Sequence, residues 1–220
     1  MEINKLLNID CIEYMKTLSN NSVDLILTDI PYGVVTRESN GLYNLDRGNA
    51  DIETFDLTTF VEECYRLAKS SIIIFCGKEQ FSYIHSFFNE KQKKKKGTVR
   101  QLVYEKTNPV PSNGQYVYLS GVENAVWFRK SKGTFNAHCK NTVFRYPIWG
   151  GKNRIHPTEK HHGLIEELIL DNSNEDDIVF DPCAGSGSTL LMAKKNGRQY
   201  LGCELDKEYY DKVLKRLEEK

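Results

Sequence analysis

The segment Asp181-Pro182-Cys183-Ala184-Gly185-Ser186-Gly187-Ser188-Thr189 follows an apolar stretch and leads into a helix-forming run. A Gly-x-Gly at such a junction permits a tight bend and removes side chains that would keep a ligand from the backbone. It constrains the region to a strand-turn-helix unit with a ligand at the carboxyl end of the strand. Two glycines alone are a weak signal, because many structural turns carry them. Glu204 strengthens it, standing 17 residues after Gly187 at the end of the next apolar stretch. An acid there can accept both hydroxyls of a ribose. The spacing is not GxGxxG and the turn has no lysine for phosphates, which disfavours a dinucleotide fingerprint and a P-loop.

Around this unit the chain alternates short apolar runs with helical periodicity. Expected strands are 5–9, 23–28, 71–76, 99–106, 124–129, 177–180 and 200–203. Expected helices are 11–18, 57–68, 81–88, 159–170, 189–195 and 209–217. The runs are too short to be helices, and their continuous apolar character suits strands buried on both faces. The alternation predicts an α/β fold with a parallel-rich sheet and helices on both faces. With no internal repeat and no linker, residues 1–220 read as one domain. Residues 33–55 read as a long polar loop of the kind that serves as a lid or binding loop. Residues 130–155 show little periodicity.

The run VDLILT ends in Asp29-Ile30-Pro31-Tyr32. In open α/β sheets the carboxyl ends of strands are where ligands bind. An exocyclic amine on a nucleobase is a poor nucleophile, because its lone pair is delocalised into the ring. Hydrogen bonds from the amine to Asp29 and to the Ile30 carbonyl would favour a tetrahedral nitrogen. Pro31 fixes the backbone and offers no competing N–H. Tyr32 offers a stacking face, worth about 1–3 kcal/mol per base. An Asp and a Pro at a strand end also make a common turn, so this motif gains its weight from the glycine turn.

The two motifs together resemble the amino-methylating DNA methyltransferases, which move a methyl group from S-adenosylmethionine to the exocyclic nitrogen of adenine or cytosine. With the tetrapeptide first and the glycine turn last, the chain resembles the permuted β-class. LVYEKTNPVPS (102–112), NAVWFRK (124–130), His156-Pro157-Thr158-Glu159-Lys160 and Leu201-Gly202-Cys203-Glu204 resemble further family segments. The resemblance spans nearly the whole chain. It implies a Rossmann-like S-adenosylmethionine-dependent methyltransferase fold, with Asp29, Ile30, Pro31 and Tyr32 as the catalytic set. It implies cofactor contacts from Asp10, Cys11, His156, Thr158, Lys160, Asp181, Pro182, Gly185, Gly187, Ser188 and Glu204. Asp10 would accept from the cofactor's adenine amine, and the Cys11 N–H would donate to its ring. Asp10 also suits a helix N-cap.

The chain departs from the family pattern at Ile30, where a proline is usual, at Ser188, where threonine is common, and at His161, where proline often follows the lysine. Asp29 favours adenine-N6 over cytosine-N4 as a family tendency. Cytosine-N4 or RNA methylation and an inactive DNA-binding relative are the alternatives. A protein-glutamine methyltransferase would carry Asn at the start of the tetrapeptide.

Net charge is zero, so contact with double-stranded DNA must come from local patches. Lys93 and Lys94 lie in a basic run that could follow phosphates, although a solvated loop is the more ordinary role for such a run. Arg37 and Arg47 lie in the 33–55 loop. Arg145 and Arg154 lie in the 130–155 stretch, where the family places its target-recognition region. The target amine lies inside the duplex stack, so the base must be extruded. The six cysteines lack CxxC spacing, and the histidines match no zinc pattern, so no metal is expected. No run is long enough to span a membrane, and reduced thiols in a cytoplasmic protein are the expectation. The resemblance alone suggests a homodimer.

Overall fold

The computed structural model describes residues 2–32, 55–111, 114–150, 154–156 and 158–219. The elements run β1 (Lys5–Leu7), α1 (Cys11–Thr17), β2 (Val23–Asp29), α2 (Leu57–Leu67), β3 (Ala68–Cys76), α3 (Lys78–Lys93) and β4 (Gly97–Lys106). They continue β5 (Val122–Lys130), β6 (Val143–Tyr146), α4 (His162–Asn172), β7 (Ile178–Asp181), α5 (Ser188–Lys195), β8 (Gln199–Cys203) and α6 (Lys207–Glu218).

The strands form one eight-stranded sheet in the order β1-β8-β7-β2-β3-β5-β4-β6. β5 runs antiparallel to β3 and β4, and every other pairing is parallel. The expected mostly parallel sheet is therefore present, with one reversed strand. The connection out of β7 leads to β8 on one side, and the connection out of β2 leads to β3 on the other. The crevice between β7 and β2 is thus a topological switch point, the place where open α/β sheets bind ligands.

Alternate strand residues feed two cores. Leu25, Leu27, Ile73 and Phe75 pack on the side of α4, α5 and α6. Val23, Ile26, Ile72 and Ile74 pack on the side of α1, α2 and α3. The strands are apolar on both faces because helices cover both faces.

Several element bounds shift, and three of the shifts have a clear physical reason. The 81–88 helix extends to Lys78–Lys93, because Gln80 reaches back to the Gly77 N–H at 3.0 Å and secures its start. The 159–170 helix begins only at His162, since the His161 ring accepts from the Gly163 N–H and caps the helix. The 130–155 stretch contains β6, which pairs with β4 at the sheet edge. Four residues are too few to show a period.

Gly187 has φ +73°, and a Cβ there would overlap Val213 of α6. Gly187→Ala is expected to lower the unfolding free energy by about 2–4 kcal/mol through left-handed strain and overpacking. Urea denaturation measures it, and a loss below about 1 kcal/mol would contradict this account.

Candidate active site

Asp29 ends β2 and Asp181 ends β7, so the two carboxyls flank the switch crevice. Ile30 continues the strand for one residue, its N–H donating to the Phe75 carbonyl at 3.2 Å. Its side chain is 2% exposed within the α1–α3 core, which accounts for an aliphatic residue at that position. The Pro31 carbonyl accepts from Gln80 Nε2 at 2.8 Å, so α3 holds the tetrapeptide. The Tyr32 hydroxyl donates to Asp29 Oδ1 at 2.8 Å.

Asp29 Oδ2 accepts from the Lys160 ammonium. Lys160 also pairs with Glu123 Oε2 at 2.9 Å, and Glu123 Oε1 pairs with Lys106 at 2.7 Å. Four charges therefore alternate in sign across β2, the segment before α4, β5 and β4. Burial raises the Asp29 carboxyl, with Lys160 opposing. Burial would raise Glu123 too, but Lys160 and Lys106 outweigh it and hold that carboxyl at about 2. Lys160 is 6% exposed; burial disfavours its charge, and the facing carboxylates more than restore it.

The glycine turn lies beside this chain of charges. The Gly185 N–H donates to Glu204 Oε2 at 2.7 Å, and Glu204 Oε1 accepts from the Asp206 N–H at 2.8 Å. A carboxylate has about four acceptor sites, so Glu204 retains capacity for two hydroxyls. Gly185 has φ +50°, and a Cβ added there would meet nothing nearer than the Cys183 carbonyl at 4.0 Å. The turn thus leaves open space above bare backbone next to a carboxylate. That space and that donor set fit a nucleoside such as the adenosine of S-adenosylmethionine.

Pro182 is buried, and the Cys183 N–H donates to Asp181 at 3.1 Å. Burial raises the Asp181 carboxyl to about 7. Asp10 caps α1, accepting from the Glu13 N–H at 2.9 Å, and lies past the end of β1, which pairs with β8. Cys11, 8% exposed, lies against Cys183 of the turn.

The 154–162 segment is pinned to the turn by Glu159. That carboxylate accepts from Arg216 at 2.7 Å, His162 at 2.9 Å and the Ile155 N–H at 2.9 Å. Arg216 donates in turn to the Ser186 carbonyl at 2.8 Å. Ser188 lies 3.4 Å from Glu159 and 2.7 Å from Ser186. His156 packs on Tyr209 with ring centroids 4.6 Å apart and contacts the Thr158 hydroxyl at 2.9 Å.

The structure thus gathers the tetrapeptide, the turn, Glu204, Asp10 and Lys160 at one edge. It does not bring Lys93 and Lys94 there. α3 starts at that edge and runs away for 16 residues, a span of about 24 Å. The basic run therefore lies at the opposite edge. Arg145, on β6, lies at the same edge of the sheet and pairs with Glu105 at 3.0 Å. Arg154 donates to the His156 carbonyl at 3.0 Å. Arg37 and Arg47 lie outside the described residues. The sequence reading missed Glu123, Lys106, Gln80 and Arg216. The only sequence signal for Glu123 is an acid opening an apolar strand.

The residues from 23 to 215 match the model of the N6/N4 DNA methylase family. The chain belongs to this family of S-adenosylmethionine-dependent DNA methyltransferases. It is similar to the Type II methyltransferase M.HinfI of Haemophilus influenzae, 32% identical, across 99% of this chain and 69% of that one. It is also similar to M2.DpnII of Streptococcus pneumoniae, 26% identical, across 97% and 89%. The crystal structure of the M1.HpyAVI–SAM complex superposes with a TM-score of 0.74 at 30% identity, covering 96% of this chain and 98% of that one. The cytosine-N4-specific PvuII DNA methyltransferase shares the fold, with a TM-score of 0.73 at 17% identity.

Because Glu159 is held at about 2 despite burial, its ionised form stabilises the fold fully above the unfolded carboxyl value near 4.5. That contribution is lost as pH falls through about 2. Glu159→Gln is expected to cost about 3 kcal/mol at pH 7. The difference from wild type should shrink as pH falls from 4.5 toward 2, as measured by chemical denaturation. A gap independent of pH would show that the charge of Glu159 is not what holds the segment.

Proposed function

We propose that this chain is a site-specific DNA methyltransferase that methylates the N6 amine of an adenine extruded from double-stranded DNA. The observation that carries this reading is the Asp29 carboxylate, held at the switch crevice beside the glycine turn and paired with Tyr32 and Lys160. When bound, S-adenosylmethionine would supply a methyl group activated by its sulfonium, the C–S bond breaking to leave a neutral thioether as the amine nitrogen takes the methyl. Asp10, Glu204, Thr158 and the backbone at Gly185 would hold that cofactor.

The target amine donates one N–H to Asp29, replacing the Tyr32 hydroxyl, and the other to the Ile30 carbonyl. The nitrogen lone pair is then freed from the ring and directed at the methyl carbon. Tyr32, released from Asp29, stacks on the base. Asp29, whose carboxyl is raised by burial, takes the proton that the methylated amine releases. Most of the rate acceleration would come from the positioning of the target amine by Asp29 and the Ile30 carbonyl.

Arg145 and the 33–55 loop, with Arg37 and Arg47, would grip the DNA around the extruded base. Residues 1–220 would act as one methyltransferase domain. The Type II names of the relatives support a modification enzyme of a restriction system. A cytosine-N4 target uses the same amine chemistry and is the reading that the same assay separates.

Incubation with unmethylated genomic DNA and labelled cofactor, then nucleoside digestion and mass spectrometry, should yield N6-methyladenine. N4-methylcytosine instead would overturn the base assignment. Asp29→Ala should reduce incorporation at least 1,000-fold, about 4 kcal/mol in the barrier, with cofactor affinity within about threefold of wild type by calorimetry. Turnover near wild type in that variant would sink the catalytic assignment.

A further inference from the structure

We propose that Glu123, on β5, is a positioning residue for Asp29. It holds the Lys160 ammonium so that one Asp29 oxygen is clamped and the other faces the target amine. The inference rests on the amine-methylation reading above and adds Glu123, which lies just before the segment 124–130. Its basis is geometric. Lys160 bridges Asp29 and Glu123, and Glu123 is anchored from its other oxygen by Lys106 of β4. The Lys160 side chain is 7% exposed, so it has no water shell in which to swing away. Asp29 uses Oδ2 for Lys160 and Oδ1 for the Tyr32 hydroxyl. Oδ2 is therefore committed to the ion pair, and Oδ1 is the oxygen exchanged when the substrate arrives.

A lone lysine beside Asp29 would neutralise it and weaken its hold on an N–H donor. Glu123 prevents that by taking a share of the same ammonium. Lys106 in turn keeps Glu123 ionised, and its Oε1 pairing leaves Oε2 directed at Lys160. The groups facing Asp29 are Lys160 from the segment before α4, Glu123 from β5, Tyr32 from its own loop, Cys76 from β3 and Asp181 from β7. Among them Glu123 is the carboxylate that shares the Lys160 ammonium with Asp29.

The test uses the full chain and the variants Glu123→Gln and Lys106→Met. Labelled methyl transfer to unmethylated genomic DNA gives the maximal rate, and calorimetry gives cofactor affinity. Carboxyl-¹³C aspartate NMR follows Asp29 without turnover, its signal assigned by its absence in Asp29→Asn. In Glu123→Gln the maximal rate should fall at least tenfold, with cofactor affinity within twofold. The Asp29 midpoint should move to lower pH, because a facing negative charge is gone. In Lys106→Met, where a positive charge is lost, the midpoint should move to higher pH.

Opposite shifts in the two variants, together with the rate loss, support the role. An unchanged rate in Glu123→Gln, or an Asp29 midpoint that ignores both substitutions, overturns it. Should Glu123→Gln fail to fold, Lys106→Met alone decides, since an unshifted midpoint there also overturns the proposal. A wild-type protein that transfers no methyl group would instead defeat the functional reading, and the titrations would still report on the charge chain.

Discussion

Lys160 carries a positive charge into the protein between Asp29 and Glu123. Moving such an ion out of water costs several kcal/mol after relaxation, and only close opposite charges offset that. The two carboxylates supply them, and Lys106 balances the second. This arrangement ties the segment before α4 to β2 and β5, so the ends of three non-adjacent stretches of chain share one electrostatic unit. A buried pair of this kind is weak evidence for stability, because apolar replacements often serve as well. Its value here lies in orientation, since Lys160 holds one oxygen of Asp29 while the other takes the Tyr32 hydroxyl.

The second tie is Glu159, one residue before Lys160. It points the other way, to Arg216 of α6 and Ser188 at the end of the glycine turn. Adjacent residues thus connect one short segment to both halves of the site, Lys160 to the tetrapeptide and Glu159 to the turn. A shift in that segment moves both halves together. The parallel sheet makes this economical, because β2, β3, β7, β8 and β1 all end on one edge and their loops meet there.

Most of the site was legible in the sequence because it rests on local geometry. Gly185 and Gly187 both adopt positive φ, a demand that glycine meets at no steric cost. Glu204 follows at a distance set by one helix and one strand, and it does meet the turn. Asp10 joins this neighbourhood through strand pairing across the whole chain length, which family order suggested and β1–β8 pairing realises. The basic run was the less informative signal. Its composition suggested phosphate contact, yet helix direction carries it to the far edge. Periodicity does not say which end of a helix meets a site.

What the amino-acid order determined alone is local: apolar strands buried on both faces, a glycine turn, a tetrapeptide at a strand end, and a cap at Asp10. These follow from backbone sterics and from burial patterns a few residues long. What only the tertiary structure decided is pairing over distance. The reversed β5, the short edge strand β6, and the charges of Glu123, Lys160 and Lys106 all depend on which strands lie side by side. Coulomb interaction depends on spatial separation and burial, and neither is encoded in the spacing of charged residues along a chain.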